Sequence, residues 1–275
     1  MSKRTALITG AGGGLGHATV ERLVANGWRV FEADISKEML RSSMHDPDVA
    51  PVEMDVTDSE SIQSAFEAVS SRTDRLDAVV NFAGVMGIGS LVDIEEERLV
   101  RILDINVLGT YRVNRKFFPL VERAKGRIVN ISSETGWQSA APFNGPYAMS
   151  KHAIEAYSTA LRRELALLGV KVVTIQPGAF RTNMVSGIEN AFGIAAAESE
   201  RFSGVLHKLK GLGVKAAGNA RDPDLLAQVV ETALTTKHPK PVYSVKPDRF
   251  RSALEALPVR AADQLYLTVL RRGKR

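Results

Sequence analysis

A glycine-rich loop between a short apolar strand and a helix is the feature that most limits how this chain can fold. The apolar run Thr5–Thr9 precedes the loop, and the helical pattern after it ends at Gly27. Glycines let the main chain approach a pyrophosphate, and the helix N-terminus offers unpaired N–H groups and partial positive charge. This order predicts a dinucleotide-binding unit, with an ordinary glycine-rich turn as the alternative. Its candidate contacts are Gly10, Gly12, Gly13, Gly14, Leu15 and Gly16.

Strand and helix patterns alternate along the rest of the chain. Further apolar strand patterns cover residues 28–33, 50–54, 76–80, 127–131, 170–175 and 241–245. This alternation predicts a parallel sheet with right-handed crossovers and helices on both faces. No interdomain linker or internal repeat interrupts the pattern. We therefore expect one α/β domain over residues 1–275, a doubly wound parallel sheet of the Rossmann type.

Composition narrows the class of protein. The chain has 44% hydrophobic and 24% charged residues, as soluble globular proteins do. It contains no cysteine, which excludes disulfides and thiolate metal sites and fits a reducing compartment. The amino terminus lacks the pattern of a secretory signal, and the charge-free run 78–92 is too short and glycine-rich to span a membrane. We expect a cytoplasmic protein without a metal site.

The formal net charge of +5 is concentrated at the carboxyl end, where four of the last five residues are basic. No RNA-binding aromatic motif or zinc-finger spacing accompanies it, so we expect no nucleic-acid partner. We expect a helical tail over about residues 249–275. Its apolar residues Leu265, Leu267 and Val269 favour docking on the domain or on a dimer partner. The alternative is contact with an acidic membrane surface.

An acidic residue ends the second strand pattern. Asp34 lies eighteen residues past Gly16, where a carboxylate can accept hydrogen bonds from an adenosine ribose. A carboxylate there also repels a 2′-phosphate, which favours NAD(H) without excluding NADP(H). Lys37 and Arg41 would weaken this preference if either side chain turned inward. The alternative role of Asp34 is a helix N-cap.

The third and fourth strand patterns also end in polar residues. Asp55, followed by Val56, is a candidate adenine contact, although a loop-ordering acid is as good an interpretation. Thr57 and Glu60 have the spacing of a capping box for the next helix. Because ligands of such sheets bind outside the carboxyl ends of the strands, all these residues are expected at one edge.

Tyr147 and Lys151 carry the candidate chemistry. Their spacing places a phenol and an ammonium on one helix face, about one turn apart. The nearby positive charge is expected to lower the pKa of the phenol, which suits a general acid or base beside a nicotinamide. Tyr111 has Arg115 at the same spacing, but an arginine does not deprotonate and the pair lies inside another helix pattern. None of the five histidines lies in a triad context.

Asn106 interrupts the apolar face of a long helix predicted over residues 95–121. A buried amide needs hydrogen-bond partners. We expect it to hold a water or to kink the helix near the site. The alternative is a surface asparagine on the polar face.

Six motifs in order resemble the classical short-chain dehydrogenase/reductase family over roughly residues 4–245. The first three are the glycine loop, the Asp-Val pair after the third strand, and an Asn-x-Ala-Gly segment with Phe82 in place of the family's second asparagine. The other three are a helical asparagine, the Tyr-x-x-x-Lys pair and a Pro-Gly segment. At this sequence they are Gly10 to Gly16, Asp55 and Val56, Asn81, Ala83 and Gly84, Asn106, Tyr147 and Lys151, and Pro177, Gly178, Phe180 and Thr182. The resemblance implies a Rossmann fold, a nicotinamide dinucleotide and a proton relay through Tyr147, a ribose hydroxyl, Lys151 and a water held by Asn106.

The family also has a serine upstream of the tyrosine, and its position here is one residue off. Ser133 lies fourteen residues before Tyr147 and Ser132 fifteen, each further than the family pattern. We favour Ser133 as the catalytic serine, with a one-residue insertion within residues 137–142.

The substrate is expected to be a lipophilic secondary alcohol or ketone. The helix around Tyr147 looks most like the family branch that acts on retinoids and steroids, and the apolar residues within 180–218 predict one or two short mobile helices that cover a pocket. Family members commonly form dimers or tetramers, so a homodimer or homotetramer is expected. The alternatives are a dinucleotide-sensing binding protein without catalysis and an NADP-dependent reductase of another small carbonyl compound.

Overall fold

A computed structural model describes residues 3–36, 38–40, 46–182, 187–217 and 220–271. Its centre is one sheet of seven strands, all parallel, in the order β3-β2-β1-β4-β5-β6-β7. The predicted fold class is confirmed, and the predicted strand bounds differ by a few residues at the ends. The strands are β1 Thr5–Thr9, β2 Arg29–Asp34, β3 Val49–Glu53, β4 Ala78–Asn81, β5 Arg127–Ile131, β6 Lys171–Pro177 and β7 Val242–Val245.

Helices cover both faces of the sheet and its carboxyl edge. In the described part of the chain they are α1 Gly14–Ala25, α2 Ser59–Ser70, α3 Glu96–Leu103, α4 Thr110–Ala124, α5 Gly145–Ala166, α6 Ile188–Glu198, α7 Ser203–Ala217, α8 Pro223–Thr235, α9 Arg249–Leu254 and α10 Val259–Arg271.

The sheet separates two hydrophobic cores, because successive strand side chains point to opposite faces. Ile8 enters the core beneath α1 and α8, and Leu7 enters the core beneath α2, α4 and α5. Strand β1 pairs with β2 on one side and with β4 on the other. The crossovers therefore leave the centre in opposite directions, and a crevice forms outside the carboxyl ends of β1 and β4.

The long helix predicted over residues 95–121 is interrupted around Asn106. The segment Asp104–Gly109 is a π-helical turn between α3 and α4. The wider turn interrupts the regular hydrogen bonds, and such turns are frequent at functional sites. The regular α-helix is therefore broken at this asparagine, where the sequence predicted a kink or a bound water.

The capping box predicted for α2 is wrong. The helix begins at Ser59, and the Asp58 side chain accepts the Glu60 N–H at 2.9 Å. Thr57 instead donates its N–H and its hydroxyl to Asp55 Oδ1, at 2.8 and 2.7 Å. Thr57 thus helps to order the loop before α2, and Asp58 is the N-cap of the helix.

The substrate lid predicted over 180–218 contains two helices, α6 and α7, packed on each other. They close a third, smaller core in which Ile88 meets Ala195, Ala196 and Leu206. Arg98 of α3 pairs with Glu198 at the end of α6. Met184 and Gly218, which the sequence assigned to the lid, lie outside the described residues.

The tail predicted over 249–275 forms α9 and α10, and its last four residues lie outside the described range. On α10 no residue is buried, and Leu265 and Val269 are exposed. In the part of the chain that the structure describes, no helix is both long and apolar enough to cross a membrane.

Candidate active site

A continuous cleft of about 2410 Å³ runs along the carboxyl ends of the strands. One part is walled by the loop between β1 and α1 and by the ends of β2 and β3. The other part is walled by the loop after β4, the lid and the C-terminal helices. Tyr147 and Lys151 lie between the two parts. The cleft thus has room for two molecules that meet at these side chains.

The glycine loop has the shape that a pyrophosphate requires. Gly10 has a φ of +65°, and a Cβ there would lie 2.7 Å from the Ala83 nitrogen. A Cβ on Gly16 would lie 2.3 Å from the Gly10 oxygen. Helix α1 begins at Gly14, without an acidic residue in its first turn and without a side-chain cap. Its free N–H groups therefore face the cleft, and this loop fits the phosphates of a dinucleotide.

Asp34 lies at the end of β2 and lines the cleft. It is not a helix N-cap: Oδ2 accepts the Gly12 N–H at 2.9 Å, and Oδ1 accepts the Ile35 N–H at 2.8 Å. Gly12, also predicted as a cofactor contact, does not line the cleft, and its N–H donates to Asp34. Lys37 and Arg41 lie outside the described residues.

Asp55 and Val56 line the same half of the cleft. One carboxylate oxygen of Asp55 is used by the two bonds from Thr57 described above, and the Asp55 N–H donates to Ser61 Oγ at 2.9 Å. The loop-ordering interpretation of this acid therefore agrees with the structure. Its place on the cleft wall keeps the adenine contact as a proposal.

Asn81 is another predicted cofactor contact whose side chain points away from the cleft. Its side chain does not line the cleft but points into a buried amide network, where Nδ2 donates to Asn114 Oδ1 at 2.8 Å and to Asn130 Oδ1 at 2.9 Å. Asn114 and Asn130 continue the network to Tyr157 and Ser158 of α5. The physical reason is strand alternation: the end of β4 turns Asn81 inward, and Phe82, Ala83 and Gly84 reach the cleft.

Tyr147 and Lys151 lie in the first two turns of α5 and are 8% and 7% exposed. Lys151 Nζ donates to the Ile131 carbonyl at 3.0 Å and lies 5.6 Å from the centre of the Tyr147 ring. Burial raises the pKa of Tyr147 to about 12, opposed by a hydrogen bond from Ser133. Burial lowers the pKa of Lys151 to about 8. The expected lowering of the phenol pKa is wrong, because the cost of burying a phenolate exceeds the help of the Ser133 hydrogen bond.

The two serines after β5 point in different directions. Ser133 hydrogen-bonds the Tyr147 hydroxyl, and its Oγ accepts the Thr135 N–H at 3.2 Å. Ser132 is 1% exposed, and its Oγ faces the Lys151 carbonyl at 3.4 Å and packs against Gly136. The geometry thus favours Ser133 as the partner of the phenol.

Asn106 is buried beneath the loop after β4. Its Oδ1 accepts the Val85 N–H at 2.8 Å, and its Nδ2 donates to the Val85 carbonyl at 3.0 Å and to Ser150 Oγ at 2.9 Å. Both amide protons are used, so the surface alternative is wrong. A water held by this residue would have to bind an oxygen, and the main-chain carbonyl already accepts from Thr110.

The remaining predicted cofactor contacts follow β6. Pro177, Gly178, Phe180 and Thr182 all line the cleft. Thr182 reaches the start of α1, where its Cγ2 lies 3.2 Å from the place of a Cβ on Gly14. Main-chain bonds between residues 179–181 and Arg221 hold this segment. It therefore bridges the glycine loop and the lid.

Sequence reasoning missed Glu134 and the residues of α9. Glu134 follows Ser133 directly, lines the cleft, and its charge raises the pKa of Tyr147. Burial raises the pKa of Glu134 itself. Arg249, Phe250 and Arg251 reach the cleft from the far end of the chain. The position of Glu134 directly after the candidate serine could have indicated its place in the site. No sequence pattern indicated that α9 reaches the cleft.

The pKa values predict different pH profiles for the two directions of reaction. A phenol with a pKa of about 12 is protonated at neutral pH, so it is ready to donate a proton to a carbonyl and must lose one to oxidise an alcohol. We expect kcat/KM for oxidation to rise by up to about tenfold per pH unit, flattening above about pH 8 where Lys151 loses its charge. Reduction should change little over the same range. Steady-state profiles in both directions measure this, and an oxidation rate that falls from neutral pH upward contradicts it.

The family model for short-chain dehydrogenases matches residues 4–191. Retinol dehydrogenase 16 of Rattus norvegicus is 33% identical over 94% of this chain and 86% of that protein. The human 17-beta-hydroxysteroid dehydrogenase type 6 is 34% identical over 94% of this chain and 86% of its own length. The crystal structure of a short-chain dehydrogenase from Streptomyces avermitilis is 27% identical, covers 100% of both chains and has a TM-score of 0.79.

Proposed function

Because the chain belongs to the short-chain dehydrogenase family and is an oxidoreductase of that family, we propose that it transfers a hydride between NAD(H) and a lipophilic secondary alcohol or ketone. The observation that carries this proposal is that Ser133, Tyr147 and Lys151 meet in the cleft that the glycine loop also lines. The relative named for 17-beta-hydroxysteroids supports a secondary alcohol, and the relative named for retinol, a primary alcohol, supports the lipophilic character of the substrate.

Ser133, Tyr147 and Lys151 have different roles in the proposed reaction. The nicotinamide supplies the hydride acceptor or donor when it is bound. Ser133 hydrogen-bonds the substrate oxygen, and Tyr147 gives that oxygen a proton or takes one from it. Lys151, held by the Ile131 carbonyl, places a positive charge beside the phenol and so favours the phenolate whenever it forms.

The substrate half of the cleft is largely apolar. Side chains reach it from the loop after β4, from the lid and from the C-terminal helices: Met86, Ile88, Phe192, Leu209, Phe250 and Tyr266. Burial of apolar surface stabilises a bound hydrocarbon by about 25 cal/mol per Å². A steroid or retinoid skeleton therefore fits this wall better than a small polar alcohol does.

A panel of primary and secondary alcohols with NAD⁺, and of the corresponding aldehydes and ketones with NADH, tests the proposal. It should include retinoid, steroid and short-chain compounds. We expect the nicotinamide absorbance to change with lipophilic members, and Tyr147→Phe to leave only a small residual rate. A flat signal for the wild-type protein across the whole panel in both directions would overturn the proposed function.

Asp34 is proposed to set the preference for NAD(H). We expect Asp34→Asn to raise kcat/KM with NADP(H) by about tenfold, because a neutral amide no longer repels the 2′-phosphate, and to lower it with NAD(H). Asp55→Asn is the matched control, an acid on the neighbouring strand end that should affect both dinucleotides alike. Initial rates with each dinucleotide measure the ratio. An unchanged ratio in Asp34→Asn would assign the preference elsewhere.

We also propose a homodimer or homotetramer in the cytoplasm. Support for self-association comes from apolar side chains on neighbouring faces of the π-turn, α4 and α5, where Leu108, Tyr111 and Met149 are 47%, 41% and 45% exposed. Patches of this kind often mark interfaces. Sedimentation of the full chain decides this point, and a monomer at micromolar concentration would contradict it.

A further inference from the structure

Helix α9, the shorter of the two helices in the C-terminal tail, is hydrogen-bonded to the loop that carries the candidate serine. Ser139 donates its N–H and its hydroxyl to the two carboxylate oxygens of Glu255, both at 2.8 Å. Gln138 Nε2 donates to Ser252 Oγ at 3.0 Å. The Asp248 N–H donates to Glu134. Arg251 also donates to the Ser139 carbonyl at 3.4 Å, so segments more than a hundred residues apart in the sequence are joined by five hydrogen bonds beside Ser133.

These contacts would give a structural role to the one-residue insertion expected within residues 137–142. Gln138 and Ser139 are the loop residues that bond α9. Gln138 is fully buried, although it lies in a surface connection. An extra residue in this stretch would lengthen the loop at the place where it contacts α9.

Helix α9 also walls the substrate half of the cleft. Asp248 caps the helix by accepting the Arg251 N–H at 3.0 Å, and Leu254 is buried beneath it. This leaves Phe250 68% exposed at the cleft that Tyr147 and side chains of the lid also line. A large aromatic side chain that is held at a cleft yet uncovered is suited to contact with an apolar ligand.

We propose that Glu134, Gln138, Ser139 and Glu255 are positioning residues that hold α9 at the cleft, and that Phe250 on this helix is a specificity-determining residue for bulky lipophilic substrates. We refer to these four residues as the latch. This inference rests on the proposed function, because it concerns the distal part of the substrate of that reaction. Gln138, Ser139 and Glu255 act on how a large substrate is held, whereas Glu134 also lies beside the proton-transfer site, where its charge raises the pKa of Tyr147.

Glu255→Ala removes both bonds from Ser139 and leaves its N–H and hydroxyl to water, so the variant is expected to fold. Because α9 loses both of these hydrogen bonds to the loop, we expect a fall of about tenfold in the ratio of kcat/KM for a steroid alcohol to kcat/KM for cyclohexanol. The change should come from KM of the steroid. Phe250→Ala should lower the same ratio, and Phe250→Trp should restore most of it. Asp263→Ala, at an exposed acid of α10, is the matched control and should leave the ratio as it is.

Hydrogen exchange of the α9 amides measures the latch without any substrate. Exchange should become faster in Glu255→Ala and in Ser139→Ala than in Asp263→Ala. Unchanged exchange in both variants would overturn the latch, and an equal loss for steroid and cyclohexanol would overturn the role of Phe250. If the wild-type protein oxidises no alcohol at all, the proposed function fails and the role of Phe250 fails with it, while the exchange result still decides the latch.

Discussion

Tyr147→Phe is expected to lower kcat by about a thousandfold in both directions while dinucleotide affinity changes by less than about threefold. Loss of a positioned general acid or base typically costs 10²–10⁴ in rate. Here the phenol is buried and hydrogen-bonded by Ser133, so no water can easily take its place. The ring itself remains in phenylalanine, and the packing of α5 on the sheet should be kept. Turnover and fluorescence titration with NADH measure the two quantities on the same protein.

Tyr111→Phe is the matched control for this substitution. Tyr111 also has a basic residue four positions later, Arg115, but it lies on the surface of α4 at 41% exposure. We expect its turnover to stay within about twofold of wild type. Full activity in Tyr147→Phe would assign proton transfer to another group. NADH binding without turnover in wild type and variant alike would favour the dinucleotide-sensing alternative.

Periodicity and loop chemistry predicted most of the fold. Residues such as Ile8 and Val30 are apolar because both faces of a parallel sheet are covered, and that pattern is visible in a single strand. Gly10 and Gly16 were informative for a similar reason, since local main-chain geometry requires glycine there. Predictions of strands, helices and the glycine loop, which depend on one segment and its immediate neighbours, therefore agreed with the structure, although the capping box of α2 did not.

The sequence predicted less well those features of the site that depend on the direction of a side chain or on contacts between distant segments. Asn81 stands at a strand end, but whether it faces the cleft or the core depends on one step of strand alternation. The pKa of Tyr147 depends on how deeply α5 packs, which the spacing to Lys151 does not reveal. The contact of α9 with residues 134–139 joins segments that no local pattern connects.

Ser133→Ala and Ser132→Ala form a pair of substitutions that separates the chemistry of this loop from its packing. We expect Ser133→Ala to lower kcat by about a hundredfold, because it removes the hydroxyl that bonds the phenol and is placed to bond the substrate oxygen. The Thr135 N–H would lose its acceptor but lies in a short turn that a water can complete. Ser133→Thr, which keeps the hydroxyl, should recover part of the rate.

Ser132→Ala should change kcat by no more than about threefold. Its one described side-chain hydrogen bond, from Oγ to the Lys151 carbonyl, is long at 3.4 Å, and alanine fits the space beside Gly136. Loss of such a bond costs about 0.5–1.5 kcal/mol of folding stability, which thermal unfolding measures in both variants. Because the serines are adjacent on one strand end, alternation turns only one of them towards Tyr147. A greater loss of turnover in Ser132→Ala than in Ser133→Ala would reverse that register and move the catalytic serine one residue towards β5.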